Sequence, residues 1–129
     1  DLNREKFEAN KLLEALKNFD SPASKNISYL THIVKVRSRL KAFHPEASMK
    51  CISTNIANCV ILQRGLAEES VYVICNMSHK FLSISPLNEL NSLDLSSDKR
   101  LLDNITGSYL NTNTFKLNPY QVVWITLTD

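Results

Sequence analysis

The residues that most often carry enzymatic chemistry are present in this chain, but their spacing matches no catalytic or metal-binding pattern. Three histidines, His32, His44 and His79, lie far apart in the 129 residues. None belongs to a His-Glu-x-x-His motif, which places two imidazoles on one helix face for zinc. We therefore expect structural or surface roles for all three, with no metal site and no cofactor. His44 precedes Pro45, a pair typical of the exit from a helix.

A nucleophilic thiol or hydroxyl is not indicated either. The chain lacks the Gly-x-Ser-x-Gly turn that exposes a catalytic serine. Cys75 and His79 are four residues apart, but Cys75 falls in an apolar strand and His79 in the following turn. A thiol inside an apolar core is inert. The sequence thus predicts buried, reduced thiols in a cytoplasmic protein, with a bridge between Cys51 and Cys59 left open if their strands pair.

Pairs of carboxylates perform the chemistry of glycoside hydrolysis, so we ask whether the acidic residues of this chain form such a pair. Those after position 50 fall almost entirely in predicted turns, where they serve solvation and turn formation. They are Glu68, Glu69, Glu89, Asp94, Asp98, Asp103 and Asp129. The segment from Asp103 to Gly107 is typical of an Asx turn closed by glycine. We therefore predict a structural role for Asp103.

Aromatic and basic residues offer two binding hypotheses. An aromatic platform for sugar rings would use Trp124, Tyr120, Tyr109 and Phe115. Aromatic residues beside a central apolar strand are more often core, and we expect that role. The basic run from Lys35 to Lys41 is able to bind phosphate, but a solvated helix face is the more common role of such a run. Gly-rich phosphate loops are excluded, because the chain has only two glycines.

Composition and charge point to one ordinary globular domain with an appendage. Apolar residues make up 43% of the chain and charged residues 22%, which argues against disorder. Apolar runs stay well short of the roughly 18 residues that a membrane span requires. Net charge is +2, too mild to indicate nucleic acid. We expect neither a nucleic-acid partner nor a membrane partner.

Hydrophobic periodicity predicts two helices in the first third of the chain. The first covers residues 3–18, and the second runs from about Ala23 or Asn26 to about Ala42. Ser21 is suited to cap the second helix, with Pro22 in its first turn. The apolar positions of the two helices are Phe7, Leu12, Leu13 and Leu16, then Ile27, Leu30, Ile33, Val34 and Leu40.

After residue 48 the pattern changes to short β-branched runs separated by polar breaks, which predicts strands. The predicted strands are 49–54, 59–64, 71–76, 81–85, 100–103, 114–117 and 121–127. We place 71–75 and 122–125 centrally with both faces covered, because they are almost entirely apolar. Residues 86–99 are predicted to be a long loop.

The predicted fold class is therefore an α+β fragment. Two N-terminal helices, in residues 1–47, precede an antiparallel, sandwich-like β domain of about seven strands in residues 48–129. The helices have no obvious helical partners, so we expect an exposed apolar patch on residues 7–43, satisfied by a missing part of the protein or by self-association.

Several segments together resemble the end of the catalytic barrel and the following domain in one branch of glycoside hydrolase family 13. Asp1 to Arg4 is similar to the short segment that opens a late barrel helix, and Ala42-Phe43-His44-Pro45 to the motif leading into the C-terminal domain. Similarity continues through strand motifs at 71–78, 101–107 and 117–125, the last containing Pro119-Tyr120-Gln121. The branch is that of sucrose phosphorylase and glucosylglycerate phosphorylase, and the resemblance covers almost the whole chain.

This resemblance implies a (β/α)8 barrel upstream of Asp1 that carries an Asp nucleophile, a Glu acid/base and a transition-state Asp. Because barrel catalytic groups sit at the C-terminal ends of the strands, none of them lies in this chain. Residues 1–47 then belong to the end of the barrel, and the missing barrel is the implied partner. Arg4 matches the family's phosphate-binding segment and is the implied binding residue.

Three functional hypotheses follow. The first is a non-catalytic C-terminal fragment of a sucrose phosphorylase-like enzyme, a retaining α-glucosyl transferase, phosphorylase or glycosidase of the α-amylase family. The second is a carbohydrate-binding β module that uses Tyr120 or Trp124. The third is a stand-alone interaction protein with a basic helix.

Overall fold

The computed structural model of this chain describes residues 8–66, 69–90 and 99–129. Contacts within the chain separate it into two compact units, one ending at Arg37 and one covering Ser38–Asp129. The sequence prediction drew its domain boundary later, after Ala47. Among the described residues, no helix combines the length and the apolar character needed to cross a membrane.

The described residues of the first unit are mainly helical, and its second helix continues two residues into the second unit. Helix α1 spans Ala9–Lys17, and helix α2 spans Pro22–Arg39. The hydroxyl of Ser21 accepts a hydrogen bond from the backbone N–H of Ser24 at 3.1 Å, so Ser21 caps α2 as predicted. The predicted start of the first helix and Phe7 lie outside the described residues. Helix α2 stops short of its predicted end because Leu40 is extended, with φ −97°.

Large apolar side chains of both helices are exposed. Leu13 is 55% exposed on α1, where no residue is buried, and Leu30 and Val34 on α2 are 57% and 63% exposed. An apolar stripe of this kind usually faces a core. The exposed patch expected from the sequence is therefore present on the described part of the helices.

The described residues of the second unit form eight strands in two antiparallel sheets. The strands are β1 Met49–Ile52, β2 Cys59–Arg64, β3 Val71–Asn76, β4 Leu82–Ile84, β5 Arg100–Asp103, β6 Ser108–Leu110, β7 Phe115–Leu117 and β8 Val122–Thr128. Six form one sheet in the order β1-β2-β3-β8-β5-β6, and β4 pairs with β7 in a second sheet. A short turn of 3-10 helix, Lys41–Phe43, precedes β1, and a four-residue helix α3, Pro86–Glu89, follows β4.

Both sheets contribute to one hydrophobic core. Alternate side chains of the large sheet, such as Ile61, Ile74 and Ile125, are fully buried, and Ile84 and Leu117 of the small sheet pack in the same cluster. Burying side chains of this size contributes roughly 1.5–3 kcal/mol each. We call this side of the large sheet its inner face. The predicted α+β class with a sandwich-like antiparallel domain is confirmed.

Two short elements were not predicted. Strand β6 has three residues, too few to show alternation, and it pairs with β5 because Gly107 reverses the chain with φ +72°. Helix α3 lies within the predicted loop 86–99, where Pro86 and Leu90 are buried and fix its ends. The rest of that loop falls mainly outside the described residues.

The central placement of β3 and β8 is confirmed, since they pair with each other inside the large sheet. The prediction that both faces of these strands are covered is only partly correct. Ile74 and Val123 on the inner face are buried, whereas Val73 and Cys75 on the outer face are half-buried. Outer positions have no second sheet above them in the described residues, which explains the difference.

The cysteine predictions need correction in two respects. Cys51 is exposed rather than buried, because β1 is an edge strand, and Cys59 and Cys75 are only half-buried. Cys51 pairs with Leu62, three residues beyond Cys59 on β2, so the two thiols point to opposite faces of the sheet. The bridge left open between them is excluded by this register, and all three cysteines are free.

Candidate functional site

Trp124, in the central strand β8, is contacted by two other segments of the chain. One contains Phe43 and the other contains Asp103 and Asn104. The ring of Phe43 packs on the Trp124 ring with 4.6 Å between centroids and a tilt of 50°. The backbone of Trp124 is held by Asp103 and Asn104. We call Phe43, Asp103, Asn104 and Trp124 the Trp124 hub. Each of its members comes from a motif on which the family resemblance depends.

Asp103 supplies the acceptors of this hub. Its carboxylate is 1% exposed, and Oδ1 accepts from the backbone N–H groups of Ile105 and Trp124, both at 3.1 Å. Oδ2 accepts from the hydroxyl of Thr106 at 2.7 Å. Asn104 donates to the Trp124 carbonyl from its backbone N–H at 2.8 Å and from Nδ2 at 3.0 Å. The carboxylate is occupied by structural bonds, as the turn motif predicted.

Residues Leu40–Ala47, which we call the strap, are fastened to the β unit near this hub. Arg64 of β2 donates from Nε to the Ala42 carbonyl at 3.2 Å and from Nη2 to the His44 carbonyl at 3.0 Å. Ala42 is 2% exposed and lies against Gly65. A Cβ on Gly65 would come within 3.1 Å of the Ala42 Cβ, and its φ of +77° also favours glycine.

A surface ion pair adds to the strap. Lys41 Nζ lies 2.6 Å from Glu69 Oε1. The hydrogen bond with Glu69, together with its charge, raises the pKa of Lys41 above the ordinary value. Both side chains are largely exposed, so solvent screens the pair and its effect on stability is small.

Asn76, at the end of β3, organises the opposite end of the sheet. Its amide is 2% exposed, and Nδ2 donates to the carbonyls of Lys80 and Asn118 at 2.7 and 2.8 Å. Its Oδ1 accepts from the N–H and the hydroxyl of Ser78 at 2.9 and 2.8 Å. This fourfold bonding ties the turn after β3 to the turn before β8, where Tyr120 adopts φ +58°.

The histidines and most acidic residues are not brought together. His32 is on α2, His44 on the strap and His79 in the turn after β3, all exposed. Nowhere in the described ranges do three His, Cys, Asp or Glu residues form a group able to hold a metal ion. Glu69 pairs with Lys41, and Asp129 pairs with Lys99, which lowers the pKa of Asp129. Glu68, Asp94, Asp98 and the implied binding residue Arg4 lie outside the described residues.

The four aromatic candidates have different surroundings and form no common platform. Phe115 is in the core at 7% exposure, and Trp124 is half-buried under Phe43. The guanidinium of Arg100 lies 4.4 Å from the ring centre of Tyr109. Tyr120 is 69% exposed. The basic run is likewise divided, because Lys35 and Arg37 belong to α2 and Lys41 to the strap.

Thiol reactivity should follow exposure. Burial raises the pKa of Cys59 to about 11, with smaller effects of Glu89 and Cys75, and burial also raises the pKa of Cys75. At pH 8 roughly 0.1% of Cys59 is thiolate. Iodoacetamide followed by mass spectrometry should therefore label Cys51 more than about tenfold faster than Cys59. The Cys59 rate should climb between pH 8 and 11. Equal labelling of the two at pH 8 would contradict the partial burial of Cys59.

Sequence reasoning missed Arg64, Gly65 and Asn76 as organising residues. Arg64 ends the apolar strand β2 and Gly65 follows it. A half-buried arginine in a strand indicates a polar partner nearby, because burying an unpaired charge is costly. Asn76 had a signal in its position two residues before Ser78, the spacing of an Asx turn. Asn76, Met77 and Ser78 also match a glycosylation sequon, but the buried side-chain amide of Asn76 is occupied by hydrogen bonds.

Comparison with known proteins places this arrangement in context. No protein-family model matches the chain. It is 32% identical over 125 residues to the glucosylglycerate phosphorylase of Allomeiothermus silvanus, an alignment that covers 96% of this chain and 19% of that protein. The resemblance to glycoside hydrolase family 13 is confirmed. The aligned relative carries the name of one of the two phosphorylases that define the resembled branch.

Solved structures share the fold. The chain aligns with Bacillus licheniformis trehalose-6-phosphate hydrolase at a TM-score of 0.59 and 20% identity, over 91% of this chain and 20% of that one. It aligns with an Anoxybacillus alpha-amylase at a TM-score of 0.60 and 14% identity, over 85% of this chain and 24% of that one. The chain thus spans about a fifth of the length of the curated relative it matches.

Proposed function

We propose that this chain is the non-catalytic C-terminal part of a cytoplasmic enzyme of glycoside hydrolase family 13 that transfers an α-glucosyl unit to phosphate. The observation that carries the proposal is the 32% identity to a glucosylglycerate phosphorylase along almost the entire chain. The matched share of that relative leaves ample room for a catalytic barrel elsewhere in the whole protein.

The chemistry of such a transfer requires groups that the described residues do not assemble. A retaining glucosyl transfer uses two carboxyl groups about 5–5.5 Å apart, one as nucleophile and one as acid and base. In the whole protein, an aspartate would attack the anomeric carbon while the glycosidic bond breaks and the acid protonates the departing oxygen. Phosphate would then attack the same carbon and break the glucosyl–aspartate bond, which frees the aspartate. Asp103, the buried carboxylate of the described residues, has its oxygens bonded to Ile105, Thr106 and Trp124. We assign it to the scaffold and the catalytic groups to the rest of the protein.

The role of this part is to support the barrel. The exposed apolar side chains of α1 and α2, including Leu13, Leu30 and Val34, suit a surface that the barrel covers in the whole protein. In the isolated chain the same stripes favour self-association. Light scattering should detect oligomers, and an apolar dye should bind. A monodisperse monomer that binds no dye would argue against both roles of these helices.

The test of the proposed activity compares two proteins. The coding frame upstream of Asp1 is read, and both the whole protein and this 129-residue chain are expressed. With phosphate and either sucrose or glucosylglycerate, the whole protein should release glucose 1-phosphate, and the isolated chain should release none. Release by the isolated chain would refute the non-catalytic assignment. If the whole protein instead releases free glucose at a rate that does not depend on phosphate, its activity is that of a hydrolase and the proposed phosphorylase activity is wrong.

A further inference from the structure

The strap Leu40–Ala47 differs from the rest of the β unit in how it is held. No strand pairing includes it among the described residues; its turns close on themselves, with the N–H groups of Phe43, His44 and Ala47 donating to carbonyls three residues earlier. Its connections to the rest of the β unit include the two Arg64 hydrogen bonds, the ring contact of Phe43, the burial of Ala42 and the exposed Lys41–Glu69 pair.

Two of these connections depend on one side chain. The Arg64 guanidinium holds two carbonyls of the strap, so losing that one side chain releases both bonds. By contrast, β3 is paired on both sides, with β2 through six residue pairs and with β8 through four. Segments held by few contacts open at lower free energy than centrally paired strands. The geometry therefore separates a weakly held strap from a strongly held sheet.

We infer that the strap is a detachable hinge element, latched by Arg64 and by the Phe43–Trp124 contact, that opens while the large sheet stays folded. Latched, it fixes the direction in which the chain approaches β1. Open, its eight residues become a tether that spans at most about 26–29 Å. Arg64 is the positioning residue of this element, and this assignment is independent of the proposed activity.

The structure provides its own reporter for the latch. Trp124 is the one tryptophan of the chain, and the strap residue Phe43 packs on its ring. In the variant Arg64→Gln, acrylamide quenching of Trp124 should rise about twofold while the circular dichroism of the sheet is retained. The same variant should speed amide exchange at Phe43 and His44 by more than about tenfold.

Arg100→Gln is the matched control. Arg100 lies in β5 of the same sheet, and it also donates from Nε and Nη2 to a backbone carbonyl, that of Asp129. It contacts Tyr109 instead of the strap. Its variant should leave Trp124 quenching and strap exchange unchanged. An increase in quenching equal to that of Arg64→Gln would overturn the latch.

Native-state hydrogen exchange on the unaltered chain decides the matter even if Arg64→Gln fails to fold. The amides of Phe43, His44 and Ala47 should exchange through an opening that leaves Ile74 and Val123 protected, by a margin of more than about tenfold in rate. If the strap amides exchange only together with those of β3 and β8, the strap is an inseparable part of the sheet and the inference is wrong.

Discussion

Replacing Asp103 with alanine is expected to lower the free energy of unfolding of the β unit by about 3–5 kcal/mol. The substitution removes the acceptor of the N–H groups of Ile105 and Trp124, which are buried and half-buried, and of the hydroxyl of Thr106, which is exposed. A buried donor deprived of its partner costs about 1–3 kcal/mol. Urea unfolding followed by circular dichroism measures the loss.

Two further variants make this test specific. Asp103→Asn keeps the shape and one acceptor oxygen, so its loss should be smaller, about 2 kcal/mol. Asp20→Ala removes a carboxylate whose side chain is 96% exposed, and it should have no measurable effect on β-unit unfolding. A change below about 1 kcal/mol for Asp103→Ala would mean that the hub does not depend on this carboxylate.

The second large effect is expected at Asn76. In Asn76→Asp the amide that donates to the Lys80 and Asn118 carbonyls becomes a carboxylate oxygen facing both of them. The site is buried, so the variant loses two bonds and gains an unpaired charge, and we expect a loss of about 3–4 kcal/mol at pH 7. Asn113→Asp is the exposed control and should unfold like the parent chain.

The pH dependence gives Asn76→Asp a signature of its own. Burial disfavours the charged form, so a carboxyl at this position would have a higher pKa in the folded state than in the unfolded chain. The variant is then least destabilised below the unfolded pKa, near 4, and loses stability as the pH rises toward the folded pKa. Urea midpoints measured from pH 4 to pH 7 should diverge from those of the parent. Parallel curves would contradict the buried environment of Asn76.

Local sequence pattern predicted most of the elements, because apolar periodicity and capping act over a few residues. Ser21 and Pro22 mark the start of α2, and the apolar run at 71–75 marks a central strand. Strand β6 escaped prediction because three residues, including the exposed Tyr109, give no alternation to detect. Its formation depends on pairing with β5.

The organising contacts were harder to predict, because they join distant residues. Asp103 was predicted as a turn residue, and its bonds to Ile105 and Thr106 follow from local spacing. Its bond to Trp124 spans 21 residues, and the bonds of Arg64 to the strap span 20 and 22. No local pattern encodes such separations. The motifs behind the family resemblance are the places where these contacts converge.

The position of β8 has a consequence for the order in which the chain can fold during synthesis. Strands β1 to β3 form a continuous meander, and β5 and β6 form a hairpin. Among the described strands of the large sheet, β8 lies between these two pieces and pairs with both. Because β8 follows the other described strands of this sheet in sequence, residues 122–128 must leave the ribosome before the sheet can close. Until then the edges of β3 and β5 are open to pairing with other chains. A nascent chain of this kind depends on a late step for its protection against aggregation.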